Sequence, residues 1–203
     1  PILSPVPLCL IALRIRASSQ LNGVLNRFSV VVTAGNTRYD TRSPASAFVS
    51  ILTGPGHAVP LPLSRLDLTA LDQWAQYCAN KGFTFDMPRD FRTSVWEALQ
   101  ACCAAGRASL VMTTEGTWSM AVDELQVHAA PVQQFNERNS WDFISTGDLL
   151  ELPHAWRVRF LNELENWHQD ERLVYRDGYH GGNATLYEQI EFPGITHPDL
   201  IWR

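Results

Sequence analysis

Lysine is almost missing from this chain: of its 16 basic residues only Lys81 is a lysine, and the rest are arginine. A GC-rich coding sequence gives that bias. So does selection for protein interfaces, where guanidinium forks pair with carboxylates. Positive charge is short overall, the formal net charge being −5. A protein whose work is gripping phosphates is usually basic, so the balance speaks against nucleic acid as the main partner. Long apolar runs are missing too. The opening stretch from Ile2 to Ile15 is broken by Pro5 and Pro7 and ends in Arg14 and Arg16. It is too short and interrupted for a membrane-spanning helix, and it lacks the basic start of a signal peptide. Cysteines number four, Cys9, Cys78, Cys102 and Cys103, with no C-x-x-C pair, and the six histidines are scattered. A zinc site needs clustered ligands, so buried free thiols and no bound metal are expected. Adjacent Cys102 and Cys103 are not expected to share one core. No G-x-S-x-G, Walker A, H-E-x-x-H or G-x-G-x-x-G pattern occurs. The expectation is a non-enzyme with no catalytic residues and no cofactor.

What is present suits a folded chain: 45% hydrophobic residues against 18% charged, enough for one large core or two small ones. Leu8–Ala17 and Phe28–Thr33 carry apolar and β-branched runs that predict strands. Ser43-Pro44 predicts a short helix, with Ser as N-cap and Pro at N1, an apolar stripe of Phe48, Ile51 and Leu52, and a stop at Gly54. The clearest helix spans about Asp67 to Lys81. Leu71, Trp74, Ala75 and Cys78 fall at i, i+3, i+4 and i+7, and Gly82 stands where a left-handed cap belongs. Phe83–Asp86 predicts a short strand. Ser94 and Glu97 predict a capping box for another helix, with Val95, Leu99 and Cys102 inward and Gly106 ending it. Leu110–Thr113 and Trp118–Val122, joined through Glu115-Gly116, predict a hairpin. Beyond Pro131 the chain turns to β character: Trp156–Leu161, Glu171–Tyr175 and Tyr187–Phe192. Thr196, Pro198 and Asp199 predict a helix start cut off by the chain end, and both ends look truncated. The fold class is therefore α+β. Residues 1–40 and 131–203 are expected to form a β-rich domain, with an α/β unit at 41–130 inserted or adjacent.

The acidic group Glu163, Glu165, Asp170 and Glu171 invites a glycosidase reading, since paired carboxylates serve as acid and base. Its place between two predicted strands, beside Asn162 and Asn166, favours an exposed polar turn instead. His168, with no identifiable partner, and His180, in a tyrosine-glycine loop, are expected at the surface. The helix, strand, helix and hairpin order over 67–122 superficially suggests a winged helix. Glu97, Glu115, Asp123 and Glu124 give it the wrong charge for a DNA reader. The tryptophans, Trp74 and Trp118 foremost, are expected mostly in the core.

Three stretches, in order, resemble the siphophage tail-tip attachment family, also called host-specificity proteins. Ser43–Gly54 (SPASAFVSILTG) resembles its N-P-A-x-x-x-x-D-I-L stretch, with Ser43 where Asn is common. Leu68–Phe85 resembles a helix ending in W-x-x-Y-C and the strand after it. Phe91–Gly106 resembles R-x-x-x-x-E-x-L-x-x-x-x-x-x-G. Tyr175 in LVYRDG, and Gly194-Ile195-Thr196 before Trp202-Arg203, resemble its later strands and helix start. The resemblance implies a virion structural protein at the distal end of a non-contractile phage or prophage tail. It implies a hub, homotrimeric in the full-length protein and assembled in the bacterial cytoplasm. It is akin to baseplate hubs and gene-transfer-agent tail proteins. Such a hub joins the distal tail ring to other tail-tip subunits and the receptor-binding apparatus, serving host attachment and DNA delivery. It implies no catalytic residues in this region. Two alternatives stand beside it: a cell-wall glycan-hydrolase domain of a tail tip, and a hub-like module of a bacterial secretion apparatus.

Overall fold

The computed structural model describes residues 14–16, 38–54, 57, 59–88, 92–124, 133–142, 144, 147 and 151–202. Helices and two sheets coexist, which makes the fold α+β. Of the two N-terminal strands expected from sequence, only Arg14–Arg16 fall within the described residues. They are exposed and without regular structure.

Three helices come first. Helix α1, Pro44–Thr53, starts behind an extended Ser43 with proline at its first turn, and Gly54 N–H closes it by donating to Ser50 O. Ser43 does not cap with its side chain: its hydroxyl is buried with no hydrogen-bond partner among the described residues. The chain reaches α1 already directed by Pro44, whose fixed φ suits N1. Helix α2, Leu68–Lys81, is capped by the Asp67 carboxylate, which accepts from Ala70 N–H, and ends at Gly82 with φ +71°. Its buried residues are Leu71, Trp74 and Cys78. Helix α3, Val95–Ala105, begins with the full reciprocal capping box of Ser94 and Glu97.

Two expectations for α3 are corrected. Val95 is exposed rather than inward. Cys102 and Cys103 are both buried in the same core, along with Ala98, Leu99 and Ala105. Successive residues on a helix point about 100° apart, so both are hidden only where the helix is covered on more than one side. Helix α3 packs against α1 and the hairpin, and Cys102 Sγ lies 2.8 Å from Pro44 O.

The hairpin is β1, Ala108–Met112, antiparallel to β2, Trp118–Val122, with Gly116 at φ +73° in the turn. Together with the helices it closes the larger core around Phe48, Leu52, Leu71, Trp74, Leu99 and Met120. Each large side chain removed from water there contributes roughly 1.5–3 kcal/mol.

The second sheet has the order β4-β3-β5. Central β3, Ala155–Asn162, is antiparallel to β4, His168–Tyr175, and parallel to β5, Tyr187–Glu191. Alternation along β3 buries Val158, Phe160 and Asn162 on one face and exposes Arg157, Arg159 and Leu161 on the other. The core there is small, Val158 and Phe160 with Ile201, and Ile195 packs against both cores.

Two further expectations are corrected. Phe83–Asp86 joins no sheet. Its N–H groups bond singly to separate segments, Phe83 to Cys78 O at 2.9 Å, Phe85 to Arg42 O at 2.9 Å and Asp86 to Gly194 O at 2.8 Å. Thr196 does not cap a helix. A single 3-10 turn, Pro198–Leu200, follows, capped by the His197 ring, while Thr196 is itself buried. Segment 194–201 therefore folds back from the sheet onto the helical unit, crossing the expected boundary between residues 41–130 and 131–203.

Candidate functional site

A densely bonded polar cluster among the described residues is the joint between the helical unit and the second sheet. Arg42, just ahead of α1, is its centre. Its guanidinium donates to Asp86 (2.6 Å) and to Glu163 (2.5 Å). The hydroxyl of buried Thr196 donates to Asp86 at 3.1 Å and sits 3.4 Å from Glu163. Backbone bonds brace the same place, Glu163 N–H to Thr196 O and Asp86 N–H to Gly194 O. Gly194, at φ +85°, lies so close to the Phe85 ring that a Cβ would sit 2.4 Å from it. Four segments distant in sequence thus meet on one guanidinium. Asp86, followed by Glu163, raises the Arg42 pKa above its ordinary value despite partial burial. Beside the joint lies an open cleft of about 410 Å³ lined by Arg42, Lys81, Thr84, Glu163, His197 and Asp199. Its charges are mixed and select no ligand.

The expected exposed acidic turn is corrected at Glu163, whose side chain is only 14% exposed and spent on Arg42. Glu165 is exposed. Asp170 accepts from the Asn162 amide at 2.9 Å and lies 3.1 Å from Arg172, and Glu171 pairs with Arg159. The Asn162 bond, with lesser help from the Glu171 N–H and Arg172, pushes the Asp170 pKa below its usual range. A glycosidase acid needs the opposite shift. Glu163 and Asp170 both act as acceptors, the first to the Arg42 guanidinium and the second to the Asn162 amide.

His168 has a partner after all, the Glu165 carbonyl at 2.7 Å from Nδ1. His180 Nδ1 accepts from Gly182 N–H at 3.1 Å, ordering the tyrosine-glycine loop from within. The same loop is stitched to the sheet by His154, which stacks on Tyr179 at 4.1 Å and accepts the Thr185 N–H at Nδ1. Among the described residues no three His, Cys, Asp or Glu side chains are placed to hold a metal. Cys78, Cys102 and Cys103 are buried, and burial pushes Cys78 and Cys103 up to about 12. Cys9 lies outside the described residues.

The expectation that tryptophan is mostly core is corrected as well. Trp74 is fully buried, but Trp96, Trp141, Trp167 and Trp202 are exposed. Two groups of exposed apolar side chains have defined geometry. One lies on the helical unit: exposed Trp96 contacts half-buried Trp118 at 6.0 Å with rings inclined by 53°, and exposed Met112 stands directly opposite Trp118 in the hairpin. The other is the β3–β4 turn, where Leu164 and Trp167 project. Sequence reasoning missed both. Trp96 follows Val95 at the edge of an otherwise apolar helix, and Leu164 sits among acids that drew attention first.

Compared with known proteins, the chain matches no family model and no curated protein.

Proposed function

We propose that this chain is a structural piece of a phage or prophage tail tip. It belongs to the central hub that joins the distal tail ring to the receptor-binding apparatus during host attachment and DNA delivery. The observation that carries the reading is where the family-like residues fall. The three resembling stretches, 43–54, 68–85 and 91–106, contribute α1, α2 and α3, and Phe48, Trp74, Cys78 and Leu99 from them pack in one core. Gly106, the last position of the third stretch, lies against the Trp74 ring of the second. A resemblance made of weak separate motifs gains weight when those motifs are mutually dependent in packing. The net charge of −5 suits a partner list of other tail proteins rather than sequence-specific nucleic acid. No helix among the described residues is long and apolar enough to cross a membrane.

The test is genetic and structural. Deleting the gene in its phage or lysogen is expected to give particles with unfinished or non-adsorbing tails. Antibody to this chain is expected to label the distal tail tip of wild-type virions by electron microscopy. Normal infectious particles from the deletion would refute the reading.

A further inference from the structure

The connection between β4 and β5 closes around a histidine that comes from outside it. His154, one residue ahead of β3, is half-buried and lies flat on the Tyr179 ring, 4.1 Å between centroids at 12°. Its Nδ1 accepts from the Thr185 N–H at 3.1 Å and the Leu186 N–H at 3.3 Å, 31 and 32 positions along the chain. The Thr185 hydroxyl, which can turn either way, is also 3.3 Å from it. An imidazole nitrogen accepts only while it carries no proton. Two backbone donors thus converge on an atom that acid converts into a donor itself.

The other described histidines are placed differently. His168 Nδ1 faces a carbonyl, Glu165 O, so a protonated ring keeps that bond. His197 accepts from the Asp199 N–H, but its Nδ1 also lies 3.8 Å from the Asp199 carboxylate, which attracts a charged ring. His57 and His180 each accept an N–H two residues on, from Val59 and Gly182. Among them His154 alone ties distant segments together. On the elements around its ring the charged groups are Arg176 and Asp177 leaving β4, His180 in the loop, Glu188 on β5 and Glu151 ahead of β3, all exposed. Tyr175, Tyr179 and Tyr187 are the other titratable groups there. No carboxylate among the described residues forms an ion pair with His154. Tyr179 offers a charged ring its π face. The Arg176 guanidinium already stands 5.8 Å from that centroid, so a second cation meets the first.

We propose that His154 is an acid-released clasp: the neutral ring holds loop Asp177–Leu186 shut, and protonation at Nδ1 lets Thr185 and Leu186 go. Imidazole is the side chain that changes charge between about pH 5 and 8, which sets the window of release. The closed loop needs the unprotonated nitrogen, so closure strengthens as pH rises and is lost as pH falls. Strand β5 keeps its register. The His154 N–H to Leu186 O bond at 2.9 Å and the Arg176 N–H to His154 O bond at 3.0 Å use no ring atom. The clasp goes beyond the tail-tip reading and works whatever assembly the chain enters.

Nuclear magnetic resonance of the 203-residue protein tests it, at about pH 7.5 and about pH 5, on either side of the imidazole transition. Proton–nitrogen correlation of the ring is expected to find the His154 proton on Nε2 at the higher pH and on both nitrogens at the lower. Backbone order parameters at Thr185 and Leu186 are expected to fall in step from about 0.85 to below about 0.6, while those at Val158 and Phe160 stay put. His154→Asn supplies a side-chain oxygen near the place of Nδ1 that does not titrate, and is expected to keep the loop ordered at both values. His154→Phe keeps a ring for the stack and removes the acceptor, so its loop is expected to be mobile at both. A proton on Nδ1 at the higher pH would overturn the clasp. So would loop order unchanged in the wild-type protein while the ring titrates, a loop that still loosens with acid in His154→Asn, or one that stays ordered in His154→Phe.

Discussion

At Trp74 three requirements meet in one side chain. It is fully buried, stands edge-on to Phe48 at 6.1 Å, and donates its indole N–H to Gly106 O at 2.9 Å. Trp74→Ala is expected to cost about 3–5 kcal/mol, the usual penalty for emptying a buried aromatic site, read from urea midpoints. Little or no shift would mean the core does not depend on this ring. The thiols give a pH signature. Folding raises Cys78 and Cys103 from 9.0 to about 12 by burial. Between those values the unfolded chain releases protons that the folded one keeps, so stability is expected to fall as pH rises from about 9 to about 12. Iodoacetamide at neutral pH is expected to spare Cys78, Cys102 and Cys103 until denaturant is added, checked by mass spectrometry. Ready labelling of the native protein would contradict their burial. That Cys78 faces inward was legible in its place on the Leu71/Trp74 stripe. Cys103 was not, because the number of sides on which α3 is covered depends on α1 and the hairpin, not on its own periodicity.

Helix α2 was readable from end to end because its signals are local: the Asp67 cap, the apolar stripe and Gly82 lie within the helix or beside it. Helix α3 announced its start through Ser94 and Glu97 for the same reason. The bond to Ser94 N–H, with a smaller contribution from Thr93, holds Glu97 below its ordinary pKa. Such a group stabilises above its unfolded pKa and loses that contribution as pH falls through the folded one. Amide exchange at the first turn of α3 is therefore expected to quicken in acid before the middle of the helix does. Uniform exchange along α3 would count against the box. The acidic turn between β3 and β4 was misjudged at one residue, Glu163. Its partner Arg42 lies 121 positions earlier, and no window on the sequence joins them.

For the molecule as a whole, two cores of unequal size share Ile195 and one charged joint. The sheet, with few buried residues of its own, depends on that joint more than the helices do. Arg42→Ala leaves Asp86 and Glu163 without their guanidinium. Since Arg42 is partly exposed, a cost of about 1–3 kcal/mol is expected rather than that of a fully buried pair. Hydrogen exchange is expected to place the loss in β3, β4 and β5 while α2 stays protected. Equal loosening of α2 would show one cooperative unit instead of two coupled ones. The α+β class and the division into a helical part and a later strand-rich part were legible in pattern. The return of segment 194–201 onto the helices was not, since Ile195 and Thr196 carry no mark of which neighbour they will meet.

The packing of Trp74 on Gly106 carries a consequence for descent. Gly106 has φ −97°, which any residue adopts, so glycine is required there by space: a Cβ would lie 2.5 Å from the indole. A lineage that loses the tryptophan frees position 106 to accept alanine or serine, and one that first enlarges position 106 must shrink position 74 to survive. Among distant relatives, then, the two sites should drift as a linked pair, large with absent or small with small. That linkage would outlast the surrounding letters as a means of recognising kin.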